Sequence, residues 1–502
     1  MARQARPRLI AGAVWALAGG LAAWMLWRQD ARIAIGWEIQ AGPALLFGIH
    51  LLSFAAWELL FLWPLARRAR MIPPLAALVG WAMAGDPPER VGAWEKSGPD
   101  IVLVTLDTFR GDHVREDLTP NLLALEGRYT QAVTTAPLTA PAHATMLTGM
   151  DVPDHGLLAN GRVVEVDTVT AHMAEAGYRT GAFLSAQVLD RHTGLDAHFS
   201  HYDDRWGPVQ RMAWWPLSEP LSKRGHVRRG DETIERALAW LDPEIADFLW
   251  VHLYDAHGPY VTPAEFRPTS EQEEAARRLD QAHLKAQQGT LTSLVEMLQS
   301  AQPETQKLRY RSAIRYTDHL VGSLLEGLDD DAVVIVVGDH GESLDEHDYY
   351  FNHGGRLYEP SLHVPFFVRG MGAWESDQLT SVAEVHRLLL EATGVRTEAV
   401  ETREVLAYTT GQQAHSKGPQ PDGPKKPPRS AALRYDGAKL VLHGDESPAW
   451  FDLRLDPEEL DPLPVPDELA PEVARLEALI ADAPPPLSEE QRLRLQALGY
   501  VE

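Results

Sequence analysis

The chain has 502 residues, a length that suits one large α/β domain with appendages. Its 46 Lys and Arg stand against 71 Asp and Glu, a net charge of −25, which argues against a nucleic-acid-binding surface. It has no cysteine, so no disulfide framework holds it together.

The N-terminus is apolar. Leu9 to Trp27 is uncharged, about the length that crosses a bilayer, and follows Arg3, Arg6 and Arg8. Ala41 to Ala66 carries only His50 and Glu58 as titratable groups and is followed by Arg67, Arg68 and Arg70. Tryptophans 24, 27, 37, 57 and 63 lie near the ends of these stretches, as interfacial aromatics do. Both stretches read as membrane spans. Met71 to Ala84 is shorter and holds Pro73-Pro74, so it reads as a short third span or as an interfacial segment. Residues 85–99 form a Pro/Gly-bearing linker.

Ile101 to Leu106 is an unbroken apolar strand that delivers Asp107 at its C-terminal end. Pro120 to Tyr129 predicts a helix. Ala136 to Gly149 starts as a Pro-punctuated loop and runs into a short apolar helix, with Thr139 at the N-cap and Pro141 in the first turn. A hydroxyl there would face unpaired N–H groups and the positive end of the helix dipole, an environment for an anion. Thr168 to Ala176 predicts a helix capped by Asp167, and Thr180 to Ser185 a strand. Phe248 to Tyr254 is another buried strand, ending in Asp255-Ala-His257; His252, inside it, is read as structural.

Residues 266–303 predict a helical insert, and Arg309 to Leu328 an amphipathic helix. Ala332 to Val337 is a further Val/Ile strand, and it delivers Asp339-His340-Gly341-Glu342. The loop from Glu342 to His363 is crowded with acids and histidines. His353 is its best further site candidate, and His347 and the acids read as solvated. Gly411 to Ser430 is a Pro/Gly/Lys-rich linker or loop. Leu433 to Leu442 and Trp450 to Leu453 predict short antiparallel strands. Unbroken Val/Ile/Leu strands imply a parallel sheet covered on both faces, with ligands at the carboxyl ends of its strands. Two acids and a histidine at such ends, beside a hydroxyl at a helix start, form a candidate metal-and-nucleophile site.

The motifs LVTLDTFRGDH, TAPAHATMLTG, VHLYDAHGPY, GDHGESLDEH and LYEPSLHVPFFVRG occur in this order. From about Asp100 onward the chain resembles the sulfatase family within the alkaline phosphatase superfamily. The resemblance implies an α/β sandwich with a central, mostly parallel sheet and a small C-terminal antiparallel β subdomain, here preceded by transmembrane helices. Together with the N-terminal reading, it divides the chain into an anchor at 1–84 (spans 9–27 and 41–66, with 71–84 a third span or an interfacial segment), a linker at 85–99, a catalytic domain at 100–410, a linker or loop at 411–430 and a subdomain at 431–502. The arginines before the first span and after the second put both ends in the cytoplasm, so two spans would leave the enzyme inside, and a third crossing at 71–84 would carry it out; membrane-anchored members of the superfamily usually work outside, so the expectation is a multi-pass enzyme on the periplasmic or outer side. The resemblance further implies a divalent metal ion, Zn, Mn, Mg or Ca, held by Asp107, Asp339 and His340 with Thr139 as nucleophile and ligand. His257 would touch the transferred group or the leaving oxygen, and His353 lies near where sulfatases place a substrate-contacting lysine. Asp255, His257, His353 and Arg356 are candidates for a second metal or for substrate.

Three departures bear on the chemistry. The sulfatase motif Cys/Ser-x-Pro-Ser-Arg reads Thr139-Ala140-Pro141-Ala142-His143, and threonine is not a precursor of formylglycine. Asp107-Thr108 stands where paired aspartates are usual. Asp339-His340 resembles phosphoryl-transferring relatives more than the Asp-Asn of many arylsulfatases. The expected function is a metal-dependent hydrolase of small-molecule, lipid or glycan esters, with phosphate esters favoured over sulfate. The alternatives are a transferase moving a phospho-headgroup to a lipid or glycan, and a catalytically inactive binding protein.

Overall fold

A computed structural model describes residues 98–204, 227–286, 303–398, 402–411, 429–444 and 446–482. The strands are β1 (Ile101–Leu106), β2 (Gly127–Val133), β3 (Arg179–Leu184), β4 (His201–Asp203), β5 (Asp247–Leu253), β6 (Val333–Gly338), β7 (Phe366–Arg369), β8 (Trp374–Ser381), β9 (Glu404–Thr409), β10 (Ser430–Tyr435), β11 (Ala438–His443) and β12 (Ala449–Asp452). The main helices are α1 (Pro120–Leu123), α2 (Thr139–Thr148), α3 (Val169–Glu175), α4 (Gly230–Trp240), α5 (Ser270–Ala286), α6 (Pro303–Glu326), α7 (Glu384–Ala392) and α8 (Ala470–Ala481).

Strand β1 is buried at every position, as its uninterrupted apolar run requires. It lies inside an eight-stranded sheet of order β4-β3-β5-β1-β6-β7-β2-β8. The pairings are parallel except where β7 joins β6 and β2. Alternate residues of each strand point to opposite faces. Ile101, Leu103, Phe248, Trp250, Ile335 and Val337 pack against α2, α3 and α7. Val102, Val104, Leu249, Val251, Val334 and Val336 pack against α4 and α6. A second sheet, β12-β11-β10-β9, is antiparallel, and Leu476 of α8 packs on it. Its first strand begins at Glu404, ahead of the boundary expected at 431.

Several sequence expectations shift. Residues 120–129 form only the short helix α1, because Gly127–Val133 pairs with β7 and β8 as a strand. Its polar, half-buried middle, without alternation, hid it. Thr168, not Asp167, precedes α3 as its N-cap residue. Asp318 of α6 accepts from the backbone N–H groups of Asn121 and Leu122 and so caps the start of α1.

The structure also corrects the membrane placement. No helix among the described residues is long and apolar enough to cross a membrane. The longest, α6, carries charges throughout its length. The expected spans 9–27, 41–66 and 71–84 lie outside the described residues, and the multi-pass, extracytoplasmic assignment built on them is withdrawn.

Two buried charged groups outside the candidate site shape stability. Lys439 of β11 is fully buried and pairs with Glu459 and, at 3.2 Å, with Glu359. Removing the cation strands the buried Glu459, while Glu359 keeps Arg434, so Lys439→Met is expected to lower the unfolding free energy by about 3–5 kcal/mol. Urea denaturation measures this, and a near-wild-type midpoint would contradict it.

Asp255 follows β5, and one of its oxygens accepts from the Gly230 N–H at the start of α4, 3.2 Å away. Burial pushes its carboxyl up to about 7. The folded state therefore holds the proton more tightly than the unfolded chain. This contribution is complete below about pH 4 and is lost as pH rises through about 7. Asp255→Asn keeps an acceptor and removes that loss. The Tm of the variant relative to wild type should accordingly rise between pH 4 and pH 8, and a constant difference would refute the assignment.

Candidate active site

The parallel register assembles the site. Leu106 of β1 pairs with Gly338 of β6 and with Leu253 of β5. The ladder continues one residue further, through Asp339 N to Leu106 O at 3.0 Å and Asp107 N to Leu253 O at 2.9 Å. Asp107 and Asp339 thus emerge side by side, both fully buried. The chain then turns through Thr108 at φ 53°, a conformation that costs a β-branched residue about 1–3 kcal/mol and clusters at functional sites. The N–H groups of Thr108 and His340 both donate to Asp339 Oδ1, at 3.2 and 2.6 Å. Asp339 Oδ2 and Asp107 Oδ1 are left buried without hydrogen bonds.

Helix α2 supplies the hydroxyl. All ten of its residues are buried, consistent with its apolar composition. Thr139 is its first residue and Leu138 the N-cap, one position from the expected arrangement. The expected row of free N–H groups is largely absent: Ala140 N donates to Asn160 Oδ1 at 2.9 Å, and Pro141 has no N–H. What Thr139 meets is the acid cluster. Its Oγ1 lies 3.3 Å from Asp107 Oδ2 and 3.4 Å from His340 Nε2.

One ligand atom each from Asp107, Asp339 and His340 lie within 4.8 Å of one another. His340 Nδ1–H donates to the Gly341 carbonyl at 2.9 Å, so its Nε2 presents a lone pair to the cluster. Burial, and then the charge of Asp107, hold the Asp339 carboxyl well above the usual range. Burial also raises Asp107, against the pull of His257 and His340. Burial, then His353, push His340 down to about 3. Among the described residues the carboxylates of Asp107, Asp339 and Glu342 make ion pairs only with histidines; Arg110 reaches Glu342 only at its backbone carbonyl, at 3.1 Å. Orphaned carboxylate oxygens, a hydroxyl and an inward imidazole lone pair are the donor set of a divalent cation, and the residues fit one.

Beyond His340 the rings continue outward. The His340 and His353 centroids are 4.6 Å apart, and those of His353 and His257 are 5.1 Å apart. His257 Nδ1–H donates to Gly258 O at 2.8 Å, and its ring stacks on Tyr254. His353 Nδ1–H donates to Glu342 Oε1 at 3.2 Å, while the Tyr260 hydroxyl donates to Oε2. Asp107, Thr139, Asp339, His340, His353 and His257 therefore come together. Asp255 is engaged with α4, and Arg356 pairs with Glu446 at 3.0 Å. His143, one turn into α2, donates from Nδ1 to the Thr139 carbonyl at 2.7 Å, and burial holds it well below its usual pKa.

Glu342, taken for a solvated acid, escaped the sequence reading: it is fully buried. His252, read as structural, faces its register partner Thr105 across β1 and β5, with Nδ1 3.0 Å from the Thr105 hydroxyl.

A model of the family described as Sulfatase matches residues 99–395. The chain is 23% identical over 443 residues to arylsulfatase K of Gallus gallus, covering 76% of this chain and 82% of that one. The phosphonate monoester hydrolase of Agrobacterium radiobacter shares the fold with a TM-score of 0.55 and 17% identity, over 80% of this chain and 96% of that one. A protein solved in complex with its substrate D-glucosamine-2-N,6-O-disulfate does so with a TM-score of 0.52 and 14% identity, over 77% of this chain and 97% of that one. With the family matched over more than half its length, this chain belongs to the sulfatase family and is a hydrolase of sulfuric or phosphoric esters.

Proposed function

We propose that the chain hydrolyses phosphate or phosphonate esters of small molecules or glycans in preference to sulfate esters. Thr139 is the nucleophile, and a divalent cation is held by Asp107, Thr139, Asp339 and His340. The observation that carries this reading is the Thr139 hydroxyl, 3.3 Å from Asp107 Oδ2 and 3.4 Å from His340 Nε2 in a fully buried acid cluster. The same fold carries a phosphonate monoester hydrolase, so attack at phosphorus is within what this scaffold hosts.

A bound cation supplies the charge that lets an alcohol ionise near neutral pH and polarises the ester oxygen. The rest is done by the chain. Thr139 Oγ1 gives up its proton toward Asp107 Oδ2 and bonds to phosphorus, and the ester P–O bond breaks. His257, protonated on Nε2 as well as on Nδ1, would give the Nε2 proton to the leaving oxygen, its ring held by the Gly258 carbonyl and by Tyr254. Water then attacks phosphorus and yields its proton to His257 Nε2, while the Oγ–P bond breaks and Asp107 returns its proton to Thr139 Oγ, restoring the hydroxyl. Sulfur chemistry lacks that return path. A hydrated formylglycine expels sulfate with its second hydroxyl, and Thr139 has only one.

Turnover of an aryl phosphodiester or phosphonate monoester should leave a trappable phosphoryl group on Thr139, visible as a mass shift on its peptide. Thr139→Ala should lose at least about a thousandfold in kcat. Aryl sulfatase turnover that survives Thr139→Ala, with no phosphoester activity in either protein, would overturn the proposal. Chelation should abolish activity and re-addition of a divalent ion restore it, while Asp339→Ala should fail to retain the ion. Full metal content in that variant would remove Asp339 from the ligand set. A metal-loaded chain that binds these esters but turns none of them over would instead support the binding-protein alternative.

A further inference from the structure

A third carboxylate lies close to Asp107 and Asp339, and its oxygens are used differently. Glu342 is fully buried, just past His340. Asp107 and Asp339 each leave one oxygen without a hydrogen bond, whereas both oxygens of Glu342 are engaged. Its Oε1 accepts from His353 Nδ1–H at 3.2 Å, and its Oε2 accepts from the Tyr260 hydroxyl. A carboxylate only accepts, so these two donors fix its direction. It is turned to protein groups and not to an ion.

The donors come from separate parts of the chain. Tyr260 follows β5, just past His257, and His353 belongs to the segment that follows β6. The Glu342 carbonyl accepts from Arg110 Nη1 at 3.1 Å, and Arg110 follows β1. Glu342 therefore joins the three segments that carry Asp107, His257 and His353.

The main chain at His353 is set without the Glu342 side chain. Ser343 and Asn352 exchange backbone hydrogen bonds at 3.0 and 3.1 Å, and His353 N–H donates to Asn352 Oδ1 at 2.9 Å. What the carboxylate adds is the rotation of the ring. That ring packs against His340 and His257, with centroids 4.6 and 5.1 Å away. Folding alone does not call for such a group, since apolar side chains of the same shape in place of a buried hydrogen-bonded pair are nearly neutral for stability.

We infer that Glu342 is a positioning residue for the reaction. Its carboxylate holds the His353 ring, and through Tyr260 the His257 segment, in register with Thr139. This role rests on the hydrolytic site at Thr139 and is independent of whether phosphorus or sulfur is attacked. A misplacement of about 1 Å at such a site costs about a hundredfold in rate.

Steady-state kinetics on the full chain tests this, with metal content and thermal melting measured for every variant. Glu342→Leu should melt cooperatively, retain its metal and lose about a hundredfold in kcat with KM near the wild-type value. Glu342→Gln should recover to within about tenfold of wild type, because its amide oxygen accepts from His353 and its NH2 group can donate to the Tyr260 oxygen. The deciding measurement is a cycle with His353→Ala. In that background Glu342→Leu should cost about twofold or less, because the ring it positions is already gone. A full hundredfold loss there overturns the inference, as does Glu342→Gln no better than Glu342→Leu. Loss of the metal from Glu342→Leu also overturns it, by making Glu342 a ligand. If Glu342→Leu does not melt cooperatively, Tyr260→Phe keeps the carboxylate and frees the β5 segment, and wild-type kcat in that variant overturns the inference. The same pattern measured on sulfate esters alone upholds it while overturning the preference for phosphorus. Wild type that hydrolyses no ester overturns both readings.

Discussion

Everything at the carboxyl end of the sheet follows from one constraint: Asp107 and Asp339 are buried next to each other with no arginine or lysine side chain among the described residues to offset them. Parallel pairing of β1 with β6 puts them there, and burial of both strands keeps water away. The chain shows elsewhere how it handles buried acids. Glu359 and Glu459 are served by Lys439, and Glu359 also by Arg434. At Asp107 and Asp339 the available partners are histidines that burial drives neutral. Two carboxylates left in that state are expensive in a low-dielectric interior. A site short of positive charge in a protein that supplies it elsewhere is built for a cation from outside.

The strands that build the site were readable because parallel strands covered on both faces must be apolar throughout, and β1, β5 and β6 are nearly so. Strand ends then mark where polar groups matter, which is why Asp107 and Asp339-His340 stood out. Strand β2 was not readable, since a polar, half-buried strand next to a four-residue helix has no single period. Asp255 was misleading for a related reason. A strand-terminal acid can serve a site or a neighbouring helix, and only packing of α4 against β5 decides.

The surroundings of Glu342 and His252 are set across the sheet and not along the chain. Glu342 looks like one more acid of a solvated loop until Tyr260, 82 residues away, is found donating to it. His252 looks like a strand histidine until the register puts Thr105 beside it and α2 lowers His143 onto the same oxygen. Spacing along the sequence carries no information about such contacts, whereas pairing register does. A polar residue inside a doubly covered strand is therefore best judged with its register partners, because an unpaired one would be too costly to keep.

The departures from the sulfatase pattern also make sense together. His143 at the arginine position removes a positive charge, and Thr108 at the second aspartate position removes a negative one. In charge the two changes cancel. They fit the space as well. Helix α2 is buried on all sides, where an arginine would need a carboxylate partner and a neutral imidazole needs only the Thr139 carbonyl and the Thr105 hydroxyl. Thr108 keeps the strained turn that aims the backbone N–H at Asp339 without adding a third acid to an already negative cluster. A site decaying into a mere scaffold would have no reason to lose its charges in balance, or to keep a hydroxyl wedged between Asp107 and His340. Under the proposed function, the site is retuned around a permanent alcohol, with a cation and neutral imidazoles taking the work that arginine and the aldehyde hydrate do in formylglycine sulfatases.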